Sequence, residues 1–186
     1  MTQNKGTLLV VEDDPGLQKQ MRWSFDGYEV IVAGDRETAL AQIRRFEPPV
    51  VTLDLGLPPD ADGATEGHAT LEQILALAPD TKVIVVTGNQ DRENAVRAIA
   101  SGAYDFYLKP FEPETLQLVV DRAFRLHALQ QENQRLQMKA ADQPSMGIIT
   151  RDAGMQKLCR NIEKVAPSSA TVMLLGESGT GKELLA

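Results

Sequence analysis

The sequence predicts an α/β fold in which helices cover both faces of a doubly wound parallel sheet. Short apolar runs alternate with segments that have helical periodicity. The runs are rich in Val, Ile and Leu, which is typical of parallel strands buried on both faces. Acidic, hydroxyl and lysine side chains follow several runs, at the edge where such sheets bind ligands. The predicted strands are residues 8–11, 29–32, 50–53, 83–86 and 106–108.

The composition is that of an ordinary globular protein, with 42% hydrophobic and 24% charged residues among 186. A net charge of −7 argues against a broad nucleic-acid surface, because phosphate contacts need clustered Lys and Arg. We therefore expect any DNA-binding part to lie outside this chain. No apolar run approaches the ~20 residues that span a bilayer, and residues 1–6 lack a signal-peptide stretch. A cytoplasmic protein without a membrane partner is expected.

A long helix is predicted after Pro113, through about Lys139. At ~1.5 Å per residue, its ~28 residues would extend ~42 Å. Four of its residues fall at positions a, d, a and d of a heptad: Leu126, Leu129, Asn133 and Leu136. We predict a short coiled coil between two copies of the chain. The alternative is a solvated amphipathic helix that packs on its own domain.

A second domain begins after this helix. A helix is predicted over residues 152–165 and a strand over residues 171–175, directly before a glycine-rich run. We divide the chain into a first domain, a helical linker and the first part of a second α/β domain, with the boundaries 1–125, 126–145 and 146–186.

Three acidic residues mark the first candidate site. Glu12 and Asp13 follow the first predicted strand, and Asp54 follows the third. A parallel sheet would bring them to one edge, where like charges raise one another's pKa unless a cation lies among them. Mg²⁺ prefers oxygen ligands and commonly links carboxylates to a phosphate. The cluster therefore predicts Mg²⁺ and a phosphoryl group together, although acidic turn residues are also common after strands for purely structural reasons.

Two further strand ends carry Thr87 and Lys109. The lysine is a compact cation that can pair with a phosphoryl oxygen, and the threonine offers a hydroxyl. Each alone has an ordinary explanation, as a solvated charge or a hydroxyl that bonds the backbone. Because aspartate can accept phosphoryl groups covalently, we assign Asp54 as the nucleophile.

The chain resembles the response-regulator receiver family over about residues 7–126. The resemblance rests on residues 10–14 (VVEDD), Asp54 with Pro58, residues 87–88 (TG) and residues 108–111 (LKPF). It implies a flavodoxin-like sheet of order 2-1-3-4-5. It also implies that a sensor histidine kinase donates a phosphoryl group to Asp54, and that receiver domains pair as homodimers.

The resemblance implies a role for each matching residue in the metal site. Asp13 would bind Mg²⁺ directly, Glu12 would act through water, Asp54 would be both ligand and acceptor, and the Gly56 carbonyl would complete the site.

It implies a switch at the other strand ends. Lys109 would hold the phosphoryl group, and the Lys109–Pro110 peptide bond would be cis. Thr87 would move toward the phosphoryl group, and Phe106 would follow at the position that more commonly carries Tyr.

Residues 58–67 form a loop that looks longer than the family's usual one. It would alter kinase recognition or phosphate lifetime, or it is an inert surface insertion. Residues 54–59 (DLGLPP) are similar to regulators associated with exopolysaccharide and PEP-CTERM protein-sorting systems. His68, placed in this loop, and His127, on the long helix, are expected to be structural or solvated.

The glycine-rich run satisfies the G-x-x-x-x-G-K pattern of a phosphate-binding loop. Its backbone N–H groups would hold phosphates, and its lysine would reach the β and γ oxygens. The last residue stands where Ser or Thr usually holds Mg²⁺, so a fortuitous glycine-rich turn is the alternative. The residues of this run are Gly176, Glu177, Ser178, Gly179, Thr180, Gly181, Lys182 and Glu183.

The same stretch, with residues 155–157 and 162–167, resembles the AAA+ domain of sigma-54-dependent activators, whose loop ends in Glu. This implies ATP binding in the full-length protein. Sigma-54 RNA polymerase and DNA would be reached through parts outside this chain, and the chain itself is not expected to turn over ATP. We predict a phosphorylation switch for such an activator. The alternatives are an AAA+ ATPase with an N-terminal dimerisation module, or a constitutive dimerisation receiver.

Overall fold

The structure is a computed structural model. It describes residues 5–61, 63–88, 92–110, 112–142, 148, 150–168, 171–177 and 179–185. The chain divides into two compact units, Met1–Gln131 and Glu132–Ala186. The boundary falls within the long helix that was predicted as a linker.

The first unit contains a five-stranded parallel sheet of order β2-β1-β3-β4-β5. This confirms the predicted fold class. The strands are β1 (Thr7–Val11), β2 (Glu29–Ala33), β3 (Val50–Asp54), β4 (Lys82–Gly88) and β5 (Asp105–Lys109). The helices are α1 (Pro15–Ser24), α2 (Arg36–Phe46), α3 (Thr65–Leu77), α4 (Arg92–Ala100) and α5 (Pro113–Asp142), of which α5 continues into the second unit.

Two apolar clusters lie on opposite faces of the sheet. Leu9 and Val11 of β1 belong to one cluster, whereas Leu8 and Val10 belong to the other. Successive side chains of a strand point to opposite faces, so a strand covered on both sides is apolar at every position. This is why the strands read as continuous apolar runs in the sequence.

The register of the central strands aligns their ends. Val11 is paired with Leu53 across β1 and β3, so the residues that follow them emerge at the same edge. The carboxylate of Asp14 caps α1 by accepting a hydrogen bond of 2.8 Å from the Leu17 N–H. This cap begins the helix immediately after the strand and leaves only two residues, Glu12 and Asp13, at the edge of the sheet.

The second unit contains the helix α6 (Ala153–Val165) and a 3₁₀ turn, Lys182–Leu184. The Asp152 carboxylate caps α6 by accepting a hydrogen bond from the Met155 N–H, and the helix itself was predicted over residues 152–165. The predicted strand over residues 171–175 is wrong for this structure, since the described residues 171–177 are neither helix nor strand. A strand requires a neighbour for its hydrogen bonds, and no described residue of the chain pairs with this segment.

No helix within the described ranges has both the length and the apolar character needed to cross a membrane.

Candidate functional site

The carboxyl edge of the sheet brings three acidic side chains together. One carboxylate oxygen from each of Glu12, Asp13 and Asp54 lies within 4.8 Å of the others. Glu12 is only 2% exposed and Asp54 is 9% exposed, whereas Asp13 is half-buried. These three residues could hold a divalent cation, because they offer several hard oxygen ligands at one point.

Lys109 bridges two of the acids from the end of β5. Its Nζ lies 2.7 Å from Glu12 Oε2 and 2.7 Å from Asp54 Oδ2. One ammonium group therefore faces three carboxylates, and the formal charge of the cluster is −2 with all four groups ionised. A cation and an anion together, such as a metal ion with a phosphoryl group, would find partners of both signs here.

The protein environment shifts the pKa of two of these groups, Glu12 and Lys109. Burial raises the pKa of the Glu12 carboxyl; the hydrogen bond from Lys109 opposes this rise, and the negative charge of Asp54 adds to it. Burial alone would lower the pKa of Lys109, but its hydrogen bonds to Asp54 and Glu12 outweigh burial and raise it. Lys109 is therefore held in its charged form.

A cavity of about 290 Å³ opens at this cluster and contains the six residues predicted for the metal and phosphoryl site. Ala61 and Gly63, from the long loop after β3, also line it, so the loop forms one wall of the site. The length of this loop was the only sequence signal for that contribution. The lining residues are Glu12, Asp13, Asp54, Gly56, Ala61, Gly63, Thr87, Gly88 and Lys109.

Two glycines fix the chain that follows Asp54. The Gly56 N–H donates a hydrogen bond of 3.2 Å to Asp54 Oδ1, and a Cβ at Gly56 would lie 2.7 Å from the Ala61 carbonyl oxygen. A Cβ at Gly67 would lie 2.3 Å from the Leu55 Cα. Because both contacts involve backbone atoms, which move little, these glycines permit α3 and the loop to approach the end of β3 closely.

The predicted switch residues lie on β4 and β5. Thr87 is buried and is paired in register with Leu108, while Phe106 is half-buried and packs against the apolar cluster that contains Leu53. The Lys109–Pro110 peptide bond is cis, as predicted. The Pro58–Pro59 bond is also cis, which the sequence did not reveal.

The two histidines differ from each other in setting. His68 was predicted in the long loop, but it lies on α3, where it is buried. Burial lowers its pKa, Arg97 lowers it further, and Glu72 opposes them. His127 lies on α5, half-buried, as predicted for its helix.

The glycine-rich run belongs to the second unit. Gly179 and Gly181 have φ of +81° and +74°, a backbone region that favours glycine. The Lys182 ammonium group donates to the Gly176 carbonyl at 3.1 Å and also to the Glu177 carbonyl. The lysine thus folds over the loop that would hold phosphates. Ser178 lies outside the described residues.

Thr180 and Glu183 also belong to the glycine-rich run. Thr180 donates a hydrogen bond of 2.8 Å from its hydroxyl to the Glu177 carbonyl, and the side chain of Glu183 is exposed.

The parallel sheet of order 2-1-3-4-5, with an acid cluster and a lysine at its carboxyl edge, defines a class of α/β signalling domains. Residues 8–121 match the family described as response regulator receiver domain. The chain belongs to this family. Residues 148–186 match the sigma-54 interaction domain, of which they are the start.

Curated relatives are similar to nearly the whole chain. Regulatory protein AtoC of Escherichia coli (strain K12) is 32% identical over an alignment of 182 positions, which covers 96% of this chain and 38% of AtoC. Transcriptional regulatory protein ZraR of the same strain is 35% identical over 192 residues, covering 100% of this chain and 41% of ZraR. The chain thus spans about two fifths of the length of these relatives.

A solved structure is also similar to nearly the whole chain. NtrX from Brucella abortus, in complex with ADP, has a TM-score of 0.66 and 34% identity, over 97% of this chain and 39% of NtrX. The narrower resemblance to PEP-CTERM and exopolysaccharide regulators stays a prediction.

Proposed function

We propose that this chain is the phosphoacceptor part of a two-component transcriptional regulator, and that Asp54 accepts a phosphoryl group from a sensor histidine kinase. The observation that carries the proposal is the position of the Asp54 carboxylate. One of its oxygens accepts a hydrogen bond from Lys109, while Glu12 and Asp13 lie beside it. An acceptor, a cation for the phosphoryl oxygens and a metal-binding acid pair therefore share one cavity.

The transfer requires one bond to form and one to break. A carboxylate oxygen of Asp54 forms the new P–O bond, while the P–N bond of the kinase phosphohistidine breaks and the imidazole leaves with the electron pair. Oδ2 is held by Lys109 and Oδ1 by the Gly56 N–H, so the carboxylate is oriented before the phosphoryl group arrives. Fixed orientation of this kind lowers the entropy lost in the reaction.

Mg²⁺ is the cation that fits this donor set. Glu12, Asp13, Asp54 and the Gly56 carbonyl would hold it, directly or through water. When bound, it would neutralise charge on the phosphoryl oxygens.

The switch would follow from the added charge. A phosphoryl oxygen near Lys109 competes with Glu12 for the ammonium group, and the Thr87 hydroxyl supplies a further hydrogen bond. Because β4 and β5 are paired at Thr87 and Leu108, a shift of Thr87 reaches Phe106 two residues back along β5. Two packings of similar energy, biased by the new charge, are sufficient for such a response.

Labelling with a small phosphodonor tests the acceptor. Incubation with acetyl phosphate and Mg²⁺, followed by intact-mass measurement, should add one phosphoryl group to the chain. Asp54→Asn should abolish this addition, whereas Asp26→Asn, which changes an exposed acid on the α1–β2 turn, should leave it unchanged. Undiminished labelling of the Asp54 variant contradicts the assignment.

A second function is proposed for the full-length protein, namely ATP binding at the glycine-rich run. Gly179 and Gly181 have the backbone conformation that a phosphate-holding loop uses, and Lys182 already folds over that loop. NtrX, the similar protein, was solved with ADP. Control of sigma-54 RNA polymerase, contact with DNA and the cytoplasmic location are proposed on the family resemblance. Lys182→Ala in the full-length protein should remove nucleotide binding, measured by fluorescence of a labelled ATP.

The signal would pass through α5 by pairing of two chains, and residues 126–145 would serve as the linker between the domains at 1–125 and 146–186. Leu129 is 69% exposed and Leu136 is 55% exposed on this helix, at heptad positions a partner helix would cover. Leu129→Asp should therefore lower the dimer fraction in sedimentation experiments. Leu118→Asp is the matched control, because Leu118 is equally exposed but lies outside the predicted heptads.

A further inference from the structure

A second cavity lies between α3 and α4, with a volume of about 320 Å³. It shares no lining residue with the acidic cavity. Its volume falls within the range of small-molecule sites, roughly 300–1,000 Å³. Its polar side chains are Thr65, His68 and Glu72 from α3, and Asn94 and Arg97 from α4.

His68 is the unusual residue of this cavity. It is 5% exposed, and neither ring nitrogen has a hydrogen-bond partner among the described residues. A buried polar group without a partner opposes folding. The buried residues that follow it on the same helix include Leu71 and Ile74, so an aliphatic residue at position 68 would also suit the core. Folding alone therefore gives no reason for an imidazole at this position.

The cavity also contains an arginine, Arg97. Arg97 forms no ion pair with any residue in the described part of the chain. Asn94 lies one helical turn before it, on the same face of α4. Together they present a guanidinium group and an amide toward the wall formed by α3. Glu72 lies four residues after His68 on that wall, so the cavity has a cationic side and an acidic side.

We propose that this cavity binds a small carboxylate that also carries a hydroxyl or amino group. The planar guanidinium group of Arg97 matches a carboxylate in shape and charge. Asn94 offers an amide donor to the same carboxylate, and the hydroxyl or amino group faces Glu72. His68 forms the floor of the site, where a neutral imidazole can both donate and accept. Both ring nitrogens are enclosed by protein atoms in this structure, so the ring must turn toward the cavity for the ligand to supply the partner that they lack.

The site is independent of the acceptor chemistry, because none of its residues belongs to the acidic cavity. The two cavities are nevertheless connected through the elements that line them. α3 follows the strand that ends in Asp54, and α4 follows the strand that carries Thr87. A ligand that bridges α3 and α4 would therefore restrain the two elements that follow the acceptor and the switch threonine.

The experiment uses the full chain and the imidazole resonances of its two histidines. Lactate is titrated as the hydroxycarboxylate probe, and sulfate as a tetrahedral anion. Lactate should shift the His68 resonances in a saturable way and leave those of His127 in place. Arg97→Gln should weaken lactate binding about tenfold, the loss expected for one hydrogen bond to a charged group. Arg92→Gln, on the same helix but outside the cavity, should not weaken it.

Glu72, on the acidic side of the cavity, supplies a test in which anion binding should become stronger instead of weaker. Glu72→Gln should strengthen binding of sulfate, because a negative charge near the anion is removed, and should weaken the preference for lactate over acetate. His68→Leu should retain the fold and lose lactate binding by calorimetry. His68 resonances that do not move, equal effects of the two arginine variants, or a response to sulfate alone as an adventitious ion only would each overturn the proposal.

Discussion

Removal of Lys109 tests whether the acid cluster depends on a single counter-charge. In Lys109→Gln the ammonium group disappears, and the carboxylates of Glu12 and Asp54 stay in place. The side chain of Glu12 is 2% exposed and that of Asp54 is 12% exposed, whereas that of Lys109 is 22% exposed. Two nearly buried carboxylates, with Asp13 beside them, would then repel each other without compensation.

The magnitude follows from the cost of an unpaired buried charge. Breaking a buried ion pair by removal of one partner costs about 3–5 kcal/mol. Because the lysine and the cluster reach the surface, we expect the lower end, and a loss of about 3 kcal/mol lowers the melting temperature of a domain of this size by roughly 10 °C. Added Mg²⁺ should recover part of the loss, since a ligand that binds only the folded state stabilises it.

The pH dependence has a definite sign. Without Lys109 the pKa of Glu12 should rise above its already raised value, so the folded state binds a proton more readily than the unfolded state does. A raised pKa contributes stability that is present at low pH and is lost as pH rises through the folded-state value. The deficit of the variant should therefore be smaller at about pH 5 than at about pH 8.

Urea unfolding in EDTA, at both pH values, measures this prediction. Lys5→Gln is the matched control, because Lys5 forms an exposed ion pair with Asp121 at 3.5 Å, and such pairs contribute less than about 1 kcal/mol. If the two variants lose similar stability, or if the Lys109 deficit grows as the pH falls, the reasoning about the buried cluster is refuted.

Two further predictions concern α3. Gly67→Ala should cost about 2 kcal/mol, because its Cβ would meet the Leu55 backbone; Gly34→Ala, whose Cβ would meet no atom closer than Gln18 Nε2 at 3.7 Å, should cost less in the same urea assay. His68→Leu should raise stability by about 1 kcal/mol at neutral pH, since it removes unpartnered nitrogens, and unchanged stability would mean that they have partners. Because burial lowers the pKa of His68, the unfolded state takes up its proton first on acidification, and the leucine variant should lose less stability below about pH 6.5.

The sheet and the acid cluster could be predicted because both depend on the order of residues along strands. Burial on both faces makes each strand an apolar run, so the strand bounds could be predicted to within about two residues. Because β1 and β3 pair in parallel, their carboxyl ends meet at one edge of the sheet. Asp54 and Lys109 are the last residues of their strands, and the two other acids directly follow β1, so their meeting at one edge follows from the order of the strands.

The start of α3 could not be predicted, for a local reason. Ala64 stands at the N-cap and makes no side-chain hydrogen bond, so the usual Ser, Thr, Asp or Asn signal is absent. The Gly, Pro and Asp residues before it extended the predicted loop as far as Gly67, and His68 was assigned to that loop. The cavity between α3 and α4 depends on how the two helices pack, which a single-sequence pattern does not contain.

The strand predicted at residues 171–175 failed for a different reason. Its apolar residues have the composition of a strand, but pairing is a property of two segments, and no described residue of this chain pairs with it. The same limit applies to the glycine-rich run. Its residues could be identified from the sequence, but the direction in which the Lys182 side chain points could not be predicted.

Chemical localisation of the phosphoryl group tests the central claim most directly. Borohydride reduces an aspartyl phosphate to homoserine, so the phosphorylated chain can be reduced, digested and sequenced by mass spectrometry. Homoserine at position 54, and at no other aspartate, is the predicted result. Homoserine at position 13, or none after stoichiometric phosphorylation, would contradict the account.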